Sequence, residues 1–177
     1  SADNDADYAI GDEVPYTLTI NVPENIAKLN TFKVTDTMDK TQLLCNEKSI
    51  VVKAEDTQLS EDNAYTLTMA AADSSNSGFT IDFKANAKTA INSYAGKTIT
   101  ITYTATLQHG ASVDVAGNVN KADLRYSKKT NIAEGETDEP YDIHDEAVVY
   151  TFKTGILKKG DDGKKIARCR VHPLQEV

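Results

Sequence analysis

Three polar side chains fall where the strand pattern calls for apolar ones: one acid and two amides. In residues 117–127, Ala122, Leu124 and Tyr126 alternate with Lys121, Asp123 and Arg125, the period of a strand with one buried face. Carried backwards, that period puts Asn118 and Asn120 on the inward face. A buried amide without partners costs on the order of 1–3 kcal/mol, so Asn120 must meet polar groups inside. In residues 31–38, Phe32, Val34, Asp36 and Met38 share one face, which leaves the Asp36 carboxyl in the apolar phase. Periodicity alone favours the plainer reading, in which Asp36 ends its strand and caps a turn over residues 37–40. The other reading is a buried acid.

Patterns for conventional catalysis are missing from the sequence. There is no Gly-x-Ser-x-Gly elbow, no phosphate-binding loop and no dinucleotide fingerprint, so no enzyme that turns over a substrate is expected. The Asp and Glu residues read as loop and outward-face charges rather than as a glycosidase pair, although such pairing is spatial. His109, His144 and His172 are scattered and match no metal spacing. Asp3, Asp5 and Asp7 resemble the start of a calcium loop. Tyr8, however, stands where that loop needs glycine, and no glutamate closes it, so the segment reads as a solvated acidic arm. Cys45 and Cys169 are far apart and fit no metal or redox spacing. No metal and no cofactor are expected.

These residues need elements to hold them, and the composition points to strands. The 177-residue chain has no Trp, carries a net charge of −8 and has no Lys/Arg-rich patch before its C-terminal end. Nucleic acid is therefore not an expected partner, because phosphate binding needs clustered cations. No apolar run approaches the ~20 residues that span a bilayer, so this segment makes no membrane contact, and any export signal lies outside it.

Alternation places strands at 14–22, 31–38, 49–54, 64–70, 78–84, 97–107, 117–127 and 146–154. Residues 85–95 hold one short helical turn, and 128–145 form a long polar loop. The longest strand puts Ile99, Ile101, Tyr103, Ala105 and Leu107 inward. About eight strands with polar turns predict an all-β, immunoglobulin-like sandwich with long loops.

Four segments in order carry a resemblance. They are Ile10-Gly-Asp-Glu-Val-Pro-Tyr-Thr-Leu-Thr-Ile, Phe32-Lys-Val-Thr-Asp-Thr-Met, Ile99-Thr-Ile-Thr-Tyr-Thr-Ala-Thr-Leu and Asn118-Val-Asn-Lys-Ala-Asp-Leu-Arg-Tyr-Ser. Together they resemble the isopeptide-forming, CnaA-like domains of sortase-assembled Gram-positive pilins, over most of residues 8–153. The resemblance implies a covalent bond between a first-strand lysine and a late-strand asparagine, promoted by a buried acid. The asparagine maps to Asn120 and the acid to Asp36, facing it across the core, which reverses the preference for a turn cap.

The chemistry implied is a single-turnover self-cross-link. Burial raises a carboxyl pKa and lowers a lysine pKa. A protonated Asp36 then polarises the Asn120 amide, and a neutral amine attacks its carbon and expels ammonia. The family's lysine precedes the position of Gly11 by several residues, whereas the first lysine here is Lys28; Lys33 and Lys153 lie on outward phases. The lysine is thus expected upstream of Ser1 or replaced within residues 1–7, and this chain is expected to carry no isopeptide bond.

The resemblance also implies a place and partners. The expected role is a structural domain of a cell-wall-anchored pilus subunit outside the cell, joined by sortase to neighbouring pilin subunits. The alternative is an adhesin module that binds a host matrix protein or glycan through the loop at 128–145. Residues 1–153 form the sandwich, and 154–177 resemble the truncated opening of a following CnaB-like domain. From Arg168 the tail reads as frameshifted, since a one-base shift of plausible codons restores Gly-Ala-Gly-Phe-Thr-Leu-Tyr-Arg-Arg.

Overall fold

The computed structural model describes residues 8–111 and 118–127 with their side chains and residues 141–149 as a backbone strand. Strands run in chain order as β1 (Glu13–Asn21), β2 (Phe32–Asp39), β3 (Leu43–Cys45), β4 (Val51–Ala54) and β5 (Thr57–Gln58). They continue as β6 (Thr66–Met69), β7 (Asn76–Asp82), β8 (Thr98–Leu107), β9 (Asn118–Tyr126) and β10 (Tyr141–Val149). Two antiparallel sheets result. One has the order β1-β8-β4-β5, with β3 also on β8; the other has the order β10-β9-β2-β7-β6. The expected all-β sandwich is what the chain forms.

Period-two alternation explains why the sheets close on each other. Along β8, Ile99, Ile101, Tyr103, Ala105 and Leu107 are all buried, and the intervening threonines face outward. Phe32, Val34 and Met38 of β2 and Phe79 and Ile81 of β7 fill the facing layer. Each such isoleucine or phenylalanine contributes about 1.5–3 kcal/mol by leaving water.

Register in the second sheet is pinned at one end by Ser127. Its buried Oγ accepts from the N–H groups of Asn30 at 3.0 Å and Thr31 at 2.7 Å, and its own N–H donates to the Thr31 carbonyl. Phe32 then pairs with Tyr126, Asp36 with Ala122 and Met38 with Asn120. On the other side of β2, Asp36 pairs with Phe79 and Thr37 with Gly78.

Gly78 is required where it stands. Its φ is +124°, and a Cβ there would lie 2.2 Å from the Asp36 carbonyl oxygen. Its neighbour Ser77 is buried, and its Oγ accepts the Cys45 N–H at 2.8 Å, tying β7 to β3 of the opposite sheet.

Several expectations need correction. The last strand among the described residues, Tyr141–Val149, begins five residues before the expected 146–154, so residues 141–145 of the expected loop pair with β9. The start was missed because Asp142, His144 and Asp145 interrupt the apolar pattern of residues 141–149. A strand at a sheet edge tolerates that interruption. Residues 128–140, the rest of the loop proposed for host contacts, lie outside the described residues. So do residues 1–7, 112–117 and 150–177, with Lys153, Cys169 and His172.

Residues 85–95 hold two short 3-10 turns, Ala85–Ala87 and Ala90–Tyr94, instead of one. The strand expected from residue 49 begins at Val51, after a 3-10 turn at Glu47–Ser49. β3 and β5 escaped the reading because strands of three and two residues show no period.

Candidate functional site

Asp36 does not cap a turn. It lies in the middle of β2, only 2% exposed, and the strand continues to Asp39. The cap belongs to Asp39, whose Oδ1 accepts from the Thr41 N–H at 2.8 Å and the Thr41 hydroxyl at 2.7 Å. Asn118 and Asn120 face inward as the period of their strand requires, at 0% and 1% exposure.

The register brings acid and amide together. Asn120 pairs with Met38, two positions along β2 from Asp36, and both side chains point to the same face. Such diagonal neighbours on adjacent strands lie within side-chain reach. Asn120 Nδ2 donates to Asp36 Oδ2 at 2.9 Å. Asp36 was expected to face Asn120 across the core; the two instead share one sheet, because β2 and β9 are paired.

The residue that does face them across the core is Tyr103 of β8. Its hydroxyl donates to Asp36 Oδ2 at 2.5 Å and accepts from Asn120 Nδ2 at 2.8 Å, closing a triangle of three polar groups. The ring is held on two sides. It stacks on Tyr16 of β1 at 5.2 Å between centroids, and it meets Phe79 of β7 edge-on at 4.9 Å. Sequence reasoning put Tyr103 inward but gave its hydroxyl no role. The available signal was that a buried phenol needs a partner.

Two carboxamide and carboxyl oxygens and one phenol stay open. Among the described residues, Asp36 Oδ1, Asn120 Oδ1 and the Tyr16 hydroxyl are buried with no hydrogen-bond partner. An open acceptor in a core costs about 1–3 kcal/mol, so each of these oxygens is suited to a further donor.

Electrostatics follow from burial. Desolvation pushes the Asp36 carboxyl up from 3.8 to about 6, against the opposing pull of the hydrogen bonds from Tyr103 and Asn120. The Tyr103 and Tyr16 phenols are driven above their ordinary range, first by burial and then by the charge of Asp36. Both therefore stay protonated at any physiological pH. The free, buried Cys45 thiol is pushed up to about 12, mainly by burial. Among the described residues, no lysine contacts Asp36 or Asn120; Lys84, the one whose pKa burial lowers, donates to Asn92.

The site therefore holds, away from solvent, an amide and beside it an acid that gains and loses a proton near pH 6.

Comparison with known proteins agrees with this architecture. A family model described as Gram-positive pilin backbone subunit 2, Cna-B-like domain, matches residues 10–130. The family description carries the Cna-B-like label, whereas the motifs above resemble the CnaA-like type. No match is found among curated proteins.

Among solved structures, the full-length major pilin RrgB from Streptococcus pneumoniae is 27% identical, with a TM-score of 0.55 over 73% of this chain and 20% of that one. The 35 kDa C-terminal fragment of the major pilin GBS80 from Streptococcus agalactiae is 21% identical, with a TM-score of 0.60 over 84% and 52%. The major pilin SpaD from Corynebacterium diphtheriae is 22% identical, with a TM-score of 0.59 over 84% and 33%. The last two likenesses speak to the fold alone. The chain spans 52% or less of the length of each of these relatives. With residues 10–130 matched to the family and the two-sheet sandwich shared with its pilins, the chain belongs to the Gram-positive pilin backbone subunit family.

Proposed function

We propose that this pilin backbone domain is a tension-bearing unit of an extracellular pilus, built to be closed by one internal Lys–Asn isopeptide bond. Asn120 supplies the electrophilic carbon, and Asp36 is the acid that promotes attack. The observation that carries this reading is the buried contact between Asp36 Oδ2 and Asn120 Nδ2, with the second oxygen of each group open among the described residues. A core retains an acid and an amide in that state at a cost in stability, and an arriving amine would satisfy both.

On this reading the amine is a first-strand lysine, which residues 1–27 do not contain. By the same reading the chain as it stands holds the electrophilic half, Asn120, unreacted. Closure would tie distant parts of the sandwich together and restrict the unfolded chain, stabilising by about 2–5 kcal/mol on the loop-entropy model. Unlike a disulfide, the bond cannot be reduced. Sortase-mediated linkage to neighbouring subunits and anchorage to the cell wall belong to the same reading.

Intact-mass measurement tests it. Single lysines are placed one at a time at residues 1–7 and at positions added before Ser1. The unaltered chain is expected at its sequence mass. At one or two lysine positions the product is expected to lose one ammonia, and the loss should vanish with Asn120→Ala or Asp36→Ala. An ammonia loss that survives Asn120→Ala, or none at any position, contradicts the proposal.

A further inference from the structure

We propose that Tyr103 is a catalytic residue of the cross-linking step, its hydroxyl passing a proton from Asp36 to the nitrogen that leaves Asn120. The inference depends on the reading of Asn120 as the electrophile. Its own ground is geometric: Tyr103 enters from the opposite sheet, and its oxygen touches both the acid and the departing nitrogen.

The triangle changes direction during the reaction while its heavy atoms stay in place. In the planar amide the Asn120 nitrogen has no free lone pair, so Nδ2 donates to Tyr103 and to Asp36, as found. Once an amine adds to Cγ, that nitrogen becomes tetrahedral and basic, and it turns from donor to acceptor. The Tyr103 O–H then points to Nδ2, and a proton on Asp36 Oδ2 points to the Tyr103 oxygen. An arrangement that suits the intermediate better than the resting amide accelerates the step.

Atoms and protons balance. The amine nitrogen forms a bond to Asn120 Cγ, and the Cγ–Nδ2 bond breaks. The arriving lysine ammonium protonates Asp36 Oδ2 as it becomes the neutral amine. Tyr103 then gives its proton to Nδ2, which departs as ammonia, and takes that one from Oδ2. The attacking nitrogen, cationic after addition, loses a proton to Asp36 Oδ1. That oxygen is open among the described residues, and the transfer restores the acid. No other reactant is needed.

The clamp on the ring supports this role. Stacking on Tyr16 and the edge contact with Phe79 fix the ring inside the core, so the hydroxyl cannot swing away. Burial and the neighbouring carboxylate keep the phenol protonated, as a relay requires.

The test uses a lysine-bearing version of the full chain that loses ammonia. It is refolded from denaturant, and its mass is followed with time. Tyr103→Phe keeps the ring contacts and is expected to slow ammonia loss about a hundredfold. A second variant, with fluorinated tyrosine at position 103, leaves size and packing nearly unchanged. Its rate is expected to rise with phenol acidity. An undiminished rate in Tyr103→Phe, or a rate indifferent to phenol acidity, overturns the relay. Ammonia loss that persists in Asn120→Ala overturns the underlying reading instead.

Discussion

Asp36 and Asn120 stand two register positions apart on paired strands, with Nδ2 and Oδ2 at 2.9 Å and almost no access to solvent. The pair is made by the β2–β9 register, which Ser127 pins at one end and the backbone contact at Gly78 supports beside Asp36. Position in the sheet, more than any loop, sets the chemistry available here.

Removing the amide should expose the cost of the acid. Asn120→Ala leaves Asp36 Oδ2 with Tyr103 as its one remaining donor among the described residues. A loss of about 1–3 kcal/mol is expected in urea unfolding. An unchanged midpoint would mean that the Asn120 hydrogen bond contributes nothing to the fold.

The pH dependence of stability has a defined sign. The folded pKa of Asp36, about 6, lies above its ordinary 3.8, so between those values the folded chain binds more protons than the unfolded one. The contribution of this group is full below about pH 4 and is lost as pH rises through about 6, on the order of 2–3 kcal/mol in all. The difference between the stability curves of the parent and Asp36→Asn isolates it. That difference should slope downward with pH over this window and flatten above it.

Gly78 should resist substitution. Alanine there meets both a φ of +124° and a Cβ position 2.2 Å from the Asp36 carbonyl oxygen. A destabilisation of at least about 2 kcal/mol is expected, together with shifted NMR signals at Asp36 and Phe79. A variant as stable as the parent would show that β7 can move away from β2 without cost.

Cys45 should be inert in the folded chain. It is 8% exposed, and its thiol is pushed up to about 12. Thiolate, the reactive form, is then scarce at neutral pH. Peptide mapping after iodoacetamide treatment should find Cys45 unmodified in the native chain and modified in denaturant.

The sequence made part of this site readable and hid the rest for identifiable reasons. The phase of β9 placed Asn118 and Asn120 inside, and the phase of β2 placed Asp36 there. Periodicity could not separate a buried acid from a turn cap, because both fit a carboxylate near a strand end; Asp39, three residues on, holds the cap. Tyr103 was read as core and no more, since its partner Asp36 is 67 residues away on the other sheet. That contact depends on how two sheets stack, which no local pattern encodes. The start of β10 was missed because an edge strand tolerates the polar residues that end a buried one.

The central claim is that the carbon of Asn120 is the one that accepts a lysine. Its most direct measurement is tandem mass spectrometry on a digest of a lysine-bearing chain that has lost ammonia. The account predicts one branched peptide, joined through the lysine side chain to Asn120 of β9. A branch at the equally buried Asn118, or linear peptides only, would contradict it.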